Sequence, residues 1–195
     1  MPRSNPRPWL VLLTGLLATP ASAELAPDGV MVALSKADNF GDVTNVADTG
    51  AERVGLTGPL PVPSLRSQWG DWTLETGYQL EAGWWRWEAA GSTAATSLRE
   101  LGVTPVLRAL PAGGDGPYLE VASGLRLLSR SRVSGRELST DFHFGSHGGI
   151  GIRFGREGRL DAALLVQHLS NADIETPNPG INFYQLRLTY RPAGR

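Results

Sequence analysis

The chain has no cysteine, almost no lysine, and no apolar run long enough to make a transmembrane helix. Without cysteine, an exported form of this chain has no disulfides to hold it together, which leaves a packed core or a closed sheet. With a formal net charge of −1, there is no basic excess of the kind that wholesale nucleic-acid binding requires. No long stretch repeats at helical period. No ligand set at the usual zinc spacing is present either.

What is there begins with Arg3 and Arg7, an apolar run over residues 9–17, and Thr19-Pro20-Ala21-Ser22-Ala23. This is the basic, apolar and small-x-small order of a secretory signal. Its apolar part is far shorter than the roughly 20 residues of a spanning helix. Cleavage is expected after Ala23, leaving residues 24–195 as one domain with a net charge of about −3.

Glycine and proline are abundant, and period-2 alternation recurs at short intervals, which predicts an all-β chain. Strands are expected at residues 72–84, 100–109, 119–127, 141–154, 160–170 and 182–190, with two weaker ones at 30–35 and 53–57, making eight. Between 160 and 170, Leu160, Ala162, Leu164, Val166, His168 and Ser170 share one parity. After a Pro177-Asn178-Pro179-Gly180 loop, Asn182, Tyr184, Leu186, Leu188 and Tyr190 do so again.

Two barrels fit this alternation. A soluble lipid-binding barrel turns the apolar parity inward; a transmembrane barrel turns it outward, to lipid. Strand length favours the second, since about 9 to 11 residues cross a bilayer at a tilt. So do Trp72, Tyr78, Trp84, Tyr184 and Tyr190, which sit on the apolar parity near strand ends, as an aromatic girdle does. The polar parity is rich in glycine and mixed in sign, so Glu75, Glu81, Glu120, Arg108, Arg126, Arg153 and Arg187 are expected to pair in a narrow lumen. A water-facing exterior would carry lysine. The fold expected is therefore an eight-stranded antiparallel transmembrane β-barrel, in which the long link over residues 58–71 fits badly as an inner turn. With both termini on the inner side, the seventh strand ends at the outer surface. His168, Ser170 and Asn182 then face lipid at outer-leaflet depth.

A charged or hydroxylic side chain facing hydrocarbon is costly and marks a functional candidate. Residues i and i+2 of a strand lie about 6.6 Å apart, so a tilted imidazole can approach the serine hydroxyl as general base to nucleophile. From spacing alone a structural role fits equally well, His168 reaching the headgroup layer and Ser170 opening the loop. Asn171 is a candidate oxyanion donor or a loop-capping residue. Arg126, Arg130, Arg132 and Arg136 gather at the outer end of the fifth strand and its loop, where Arg130, Arg132 and Arg136 are candidates for contact with phosphates. Asp141, His143 and His147 share a parity, but it points into the lumen, where structural histidines are the expectation, so no metal is assigned.

The run His168-x-Ser170-Asn171-Ala172, followed by Pro177-Asn178-x-Gly180-Ile181, resembles the signature of the outer-membrane lipid A 3-O-deacylases of PagL type. The resemblance implies a cell-outer-membrane enzyme that hydrolyses the 3-O-linked hydroxyacyl ester of lipid A, with His168 and Ser170 as the catalytic pair and no cofactor. It implies lipid A (lipopolysaccharide) and outer-membrane lipid as partners; a homodimer is a further expectation. By the same resemblance, the best-known members of the family carry a glutamate at the position matching Asn182. Asparagine can hold the histidine tautomer but lacks the charge that stabilises imidazolium, so Glu175 or Asp173 is kept as a substitute. The alternatives are a non-catalytic structural or adhesive barrel, in which Asn182 marks a lost triad, and a soluble periplasmic lipid-binding barrel.

Overall fold

The computed structural model describes residues 25–38, 49–60, 67–88 and 95–192; the expected signal, residues 1–23, lies outside them. Eight long strands run β1 (Gly29–Asp38), β2 (Gly50–Pro59), β3 (Trp72–Glu88), β4 (Ala95–Pro111), β5 (Gly116–Leu128), β6 (Phe142–Phe154), β7 (Leu160–Ser170) and β8 (Ile181–Tyr190). Each pairs antiparallel with its neighbours in sequence, and β8 pairs with β1, from Val30 opposite Tyr190 to Asp38 opposite Asn182. The sheet therefore closes without an edge, which is how a membrane-spanning sheet satisfies its backbone.

The orientation of the wall separates the two barrels. Val32, Leu34, Leu101, Leu119, Val121, Ile150, Leu164 and Leu188 are exposed, while Arg53, Glu100, Glu120, Arg126, Gln167 and Arg187 are buried. An apolar exterior around a charged interior is the arrangement of a transmembrane barrel and the reverse of a soluble one. The soluble lipid-binding alternative is thereby overturned. Trp72, Trp84, Tyr184 and Tyr190 are exposed on this outer wall, as a girdle requires. Tyr78 departs from that expectation. It is only 5% exposed, because it stands opposite Gly58 and its ring fills the space a Cβ there would take.

The lumen is a packed ion network. Glu120 accepts from Arg108 at 2.6 Å, from Arg187 at 2.6 and 2.7 Å, and meets His147 Nε2 at 2.8 Å. Tyr118 takes Arg187 at 3.2 Å and donates to Asp161 at 2.6 Å. Nearer the outer end, Arg53 is bonded to Glu100 at 3.0 Å and to Ser35 at 2.7 Å. Glu100 also accepts from Trp85 Nε1. Arg126 pairs with Glu81 and Glu100, which places it inside the barrel and removes it from the surface arginines. Arg153 and Glu75 close the inner end at 3.1 Å. Buried charges of this kind cost several kcal/mol each to desolvate, so the network holds only while both signs are present.

Above the ions lies an apolar plug of Trp85, Trp87, Leu98, Leu128, Leu169, Ile181 and Phe183, roofed by Val133 and Leu138 from the β5–β6 loop. Trp85 and Phe183 meet edge to face with centroids 4.9 Å apart. This plug explains why β3 and β4 run 17 residues, longer than the alternation suggested: the outer end of β3 carries Trp85 and Trp87, and that of β4 carries Leu98. Of the link after β2, residues 61–66 lie outside the described ones; in its described end Gln68 and Trp69 pair back onto the start of β3, and Leu74 N–H donates to Ser67 O at 2.8 Å.

Candidate active site on the outer wall

His168 and Ser170 occupy alternate positions at the loop end of β7, so both point away from the lumen, while Gln167, Leu169 and Asn171 point in and are buried. The inward residues fix the outward ones. Leu169 and Ile181 belong to the apolar plug, which anchors the tip of the β7–β8 hairpin. Asn171 turns its amide inward, where Nδ2 donates to Glu175 O at 2.9 Å and to Leu138 O at 3.4 Å. Its backbone N–H donates to Asn178 Oδ1 at 3.0 Å, and Ser139 Oγ donates to Pro177 O at 2.7 Å. The 171–180 loop is thus tied to the β5–β6 loop and to itself.

His168 stands directly opposite Asn182 in the β7–β8 ladder, and its Nδ1 lies 2.7 Å from Asn182 Oδ1. An amide oxygen only accepts, so Nδ1 carries a hydrogen, and the lone pair of the neutral ring is then on Nε2. Asn182 is itself 6% exposed. Of the two substitutes, Asp173 accepts from Asn178 Nδ2 at 3.0 Å, and Glu175 is exposed on the loop. Ser170 is half-buried, opposite Phe144 of β6. Among the described residues no hydrogen bond joins it to His168, a looseness common in substrate-free sites.

Three further features emerge only from the assembled barrel. Gly180, at φ +63°, packs against the His168 ring. Asp38 of β1 stands opposite Asn182 on the same outward face. Ser146 stands opposite His168 on its other side, and Ser123 opposite Ser146. A polar row therefore crosses five strands, Asp38, Asn182, His168, Ser146, Ser123, in a wall that is mostly apolar.

The remaining candidates lie apart from this row. Arg130 and Arg132 are exposed on the β5–β6 loop, Arg132 being 3.2 Å from Glu137, and Arg136 lies on the same loop. His143 and His147 are inside the lumen. Among the described residues no group of three or more His, Asp or Glu side chains is placed to hold a metal ion.

Comparison with known proteins points one way. A family model described as lipid A 3-O-deacylase (PagL) matches residues 52–191. The chain is 30% identical over 141 residues to the lipid A deacylase PagL of Bordetella bronchiseptica, covering 72% of this chain and 76% of that one. It is also 30% identical over 113 residues to the lipid A deacylase PagL of Pseudomonas aeruginosa, covering 57% and 62%. Among solved structures, the crystal structure of the outer membrane enzyme PagL superposes with a TM-score of 0.65 at 23% identity, over 84% of this chain and 99% of that one.

Proposed function

Because the chain belongs to the lipid A 3-O-deacylase (PagL) family, we propose that His168, Ser170 and Asn182 are the working groups of an outer-membrane ester hydrolase. The substrate is lipid A, and the bond is the ester that links an acyl chain to its sugar. Ser170 Oγ attacks the ester carbonyl as its proton passes to His168 Nε2, giving a tetrahedral oxyanion. His168 returns the proton to the departing sugar oxygen, which leaves the acyl group on Ser170. Water, deprotonated by the same nitrogen, then releases the fatty acid and restores the serine. No step draws on a cofactor.

Asn182 holds the imidazole in the tautomer this sequence needs, without the charge a carboxylate would add. The Asn171 backbone N–H follows the nucleophile directly, the place from which an oxyanion donor acts in other serine hydrolases. It is now held by Asn178 Oδ1, which a developing oxyanion would displace. Arg130, Arg132 and Arg136 are assigned to the phosphates of lipid A, Arg132 exchanging Glu137 for the ligand. Association as a homodimer belongs to the proposal as well, and cross-linking in intact outer membranes tests it.

The observation that carries the reading is the outward placement of His168 and Ser170 on a wall of exposed aliphatic side chains, with Nδ1 already engaged by Asn182. A base and a nucleophile at that position meet acyl esters of the surrounding leaflet and little else. A serine-reactive phosphonate carrying a lipid tail provides the test. It should label the wild-type protein at Ser170 and fail to label Ser170→Ala; labelling that persists in the variant overturns the assignment.

A further inference from the structure

Ser123 and Ser146 face outward from β5 and β6 with their hydroxyls 2.8 Å apart, two hydroxyls in the middle of an apolar wall. Their neighbours along the strands are Val121 and Leu125 on one side and Phe144 and Gly148 on the other. Two hydroxyls carry two hydrogens, and their mutual bond uses one. The other hydrogen and the remaining lone pairs face outward among these apolar side chains, a costly arrangement in lipid unless a ligand supplies both an acceptor and a donor. A carbonyl supplies only the first; a hydroxyl supplies both.

The location sets which hydroxyl. Ser146 is directly across from His168, and diagonal neighbours in a sheet lie about 7–8 Å apart, which is the relation of Ser146 to Ser170. An acyl chain whose carbonyl carbon sits at Ser170 would bring a substituent two or three carbons along within hydrogen-bond reach of Ser146. The chain has a path beyond it: Gly148, opposite both Val121 and Val166, leaves a trough floored by backbone between two exposed valines.

We propose that the Ser123–Ser146 pair is a specificity subsite that recognises a hydroxyl group near the carbonyl end of the acyl chain to be removed. The proposal rests on the deacylase reading above. Two synthetic lipid A substrates, differing only in whether the ester-linked chain carries that hydroxyl, test it with the full-length protein in mixed detergent micelles. The quantity read is the ratio of the two rates of fatty-acid release. Wild type should favour the hydroxylated substrate by about tenfold, S123A/S146A should bring the ratio close to one, and S123T/S146T, which keeps both hydroxyls, should retain it. A wild-type ratio near one, or a ratio unaltered in S123A/S146A, overturns the subsite while leaving the deacylase standing. Release from neither substrate by folded wild-type protein overturns the deacylase reading, and the subsite with it.

Discussion

Gly180 and His168 pack so closely that a Cβ placed on Gly180 would lie 2.7 Å from Cε1 and 3.4 Å from Nε2 of the imidazole. The glycine also adopts φ +63°, which other residues take only with strain. Gly180→Ala should therefore push the ring off Asn182 and cut deacylation at least roughly tenfold, with the protein still folded into the outer membrane. Activity equal to wild type would show that the ring position is not set by this contact.

The Asn182 amide fixes the tautomer of His168 and does nothing for the charge that develops on it. Asn182→Ala should lower kcat by roughly 10²-fold with little change in KM, within the range general-base catalysis contributes. Asn182→Asp should match or exceed wild type, since a carboxylate accepts the same Nδ1 hydrogen and favours imidazolium. Rates of fatty-acid release from purified lipid A decide between these; an Asn182→Ala variant with a wild-type kcat would remove Asn182 from the mechanism.

Asn171 holds the loop that follows the nucleophile, its amide bonded to the carbonyls of Leu138 and Glu175. Asn171→Ala removes the donor from the part-buried Glu175 carbonyl and one of two donors from the Leu138 carbonyl, which keeps the Thr140 N–H, at about 0.5–1.5 kcal/mol per bond. The expected result is faster proteolytic nicking between residues 172 and 179 and a lower rate of deacylation. Unaltered nicking would mean that the loop is held by its other contacts.

The hairpin from Leu160 to Tyr190 was legible in the sequence because its chemistry is local: His168, Ser170 and Asn182 lie within one pair of strands, and period-2 parity alone puts them on one face. The outward orientation of the wall was also legible, from the aromatic positions and the missing lysines. Partners across the barrel were not. Arg53 meets Glu100 from two strands away in the ladder, which depends on register and shear that a linear pattern does not carry. The same holds for Asp38, Ser146 and Ser123, whose alignment with His168 rests on four separate pairings; a slip of one residue in any of them would turn part of the row into the lumen. Tyr78 was assigned to the girdle by parity, but parity does not register that the residue opposite is a glycine.

The lumenal network predicts its own weak point. Glu120 is the shared acceptor of Arg108 and Arg187, so Glu120→Leu leaves buried Arg108 without its carboxylate and Arg187 with only the more distant Asp161, 3.9 Å away, a loss of roughly 3–5 kcal/mol. The temperature at which the folded, fast-migrating form converts to the unfolded one on gels should fall clearly. By contrast, Glu52→Ala, which breaks only the exposed pair with Arg86, should leave it within about 0–1 kcal/mol of wild type.

The most direct measurement is the mass spectrum of lipid A from cells expressing the wild-type chain or Ser170→Ala, with heat-modifiable mobility showing that both are folded in the outer membrane. Wild type should shift lipid A down by the mass of one ester-linked acyl chain, and Ser170→Ala should leave it intact. Lipid A of unchanged acyl count beside folded wild-type protein, or deacylation that survives Ser170→Ala, would contradict the account.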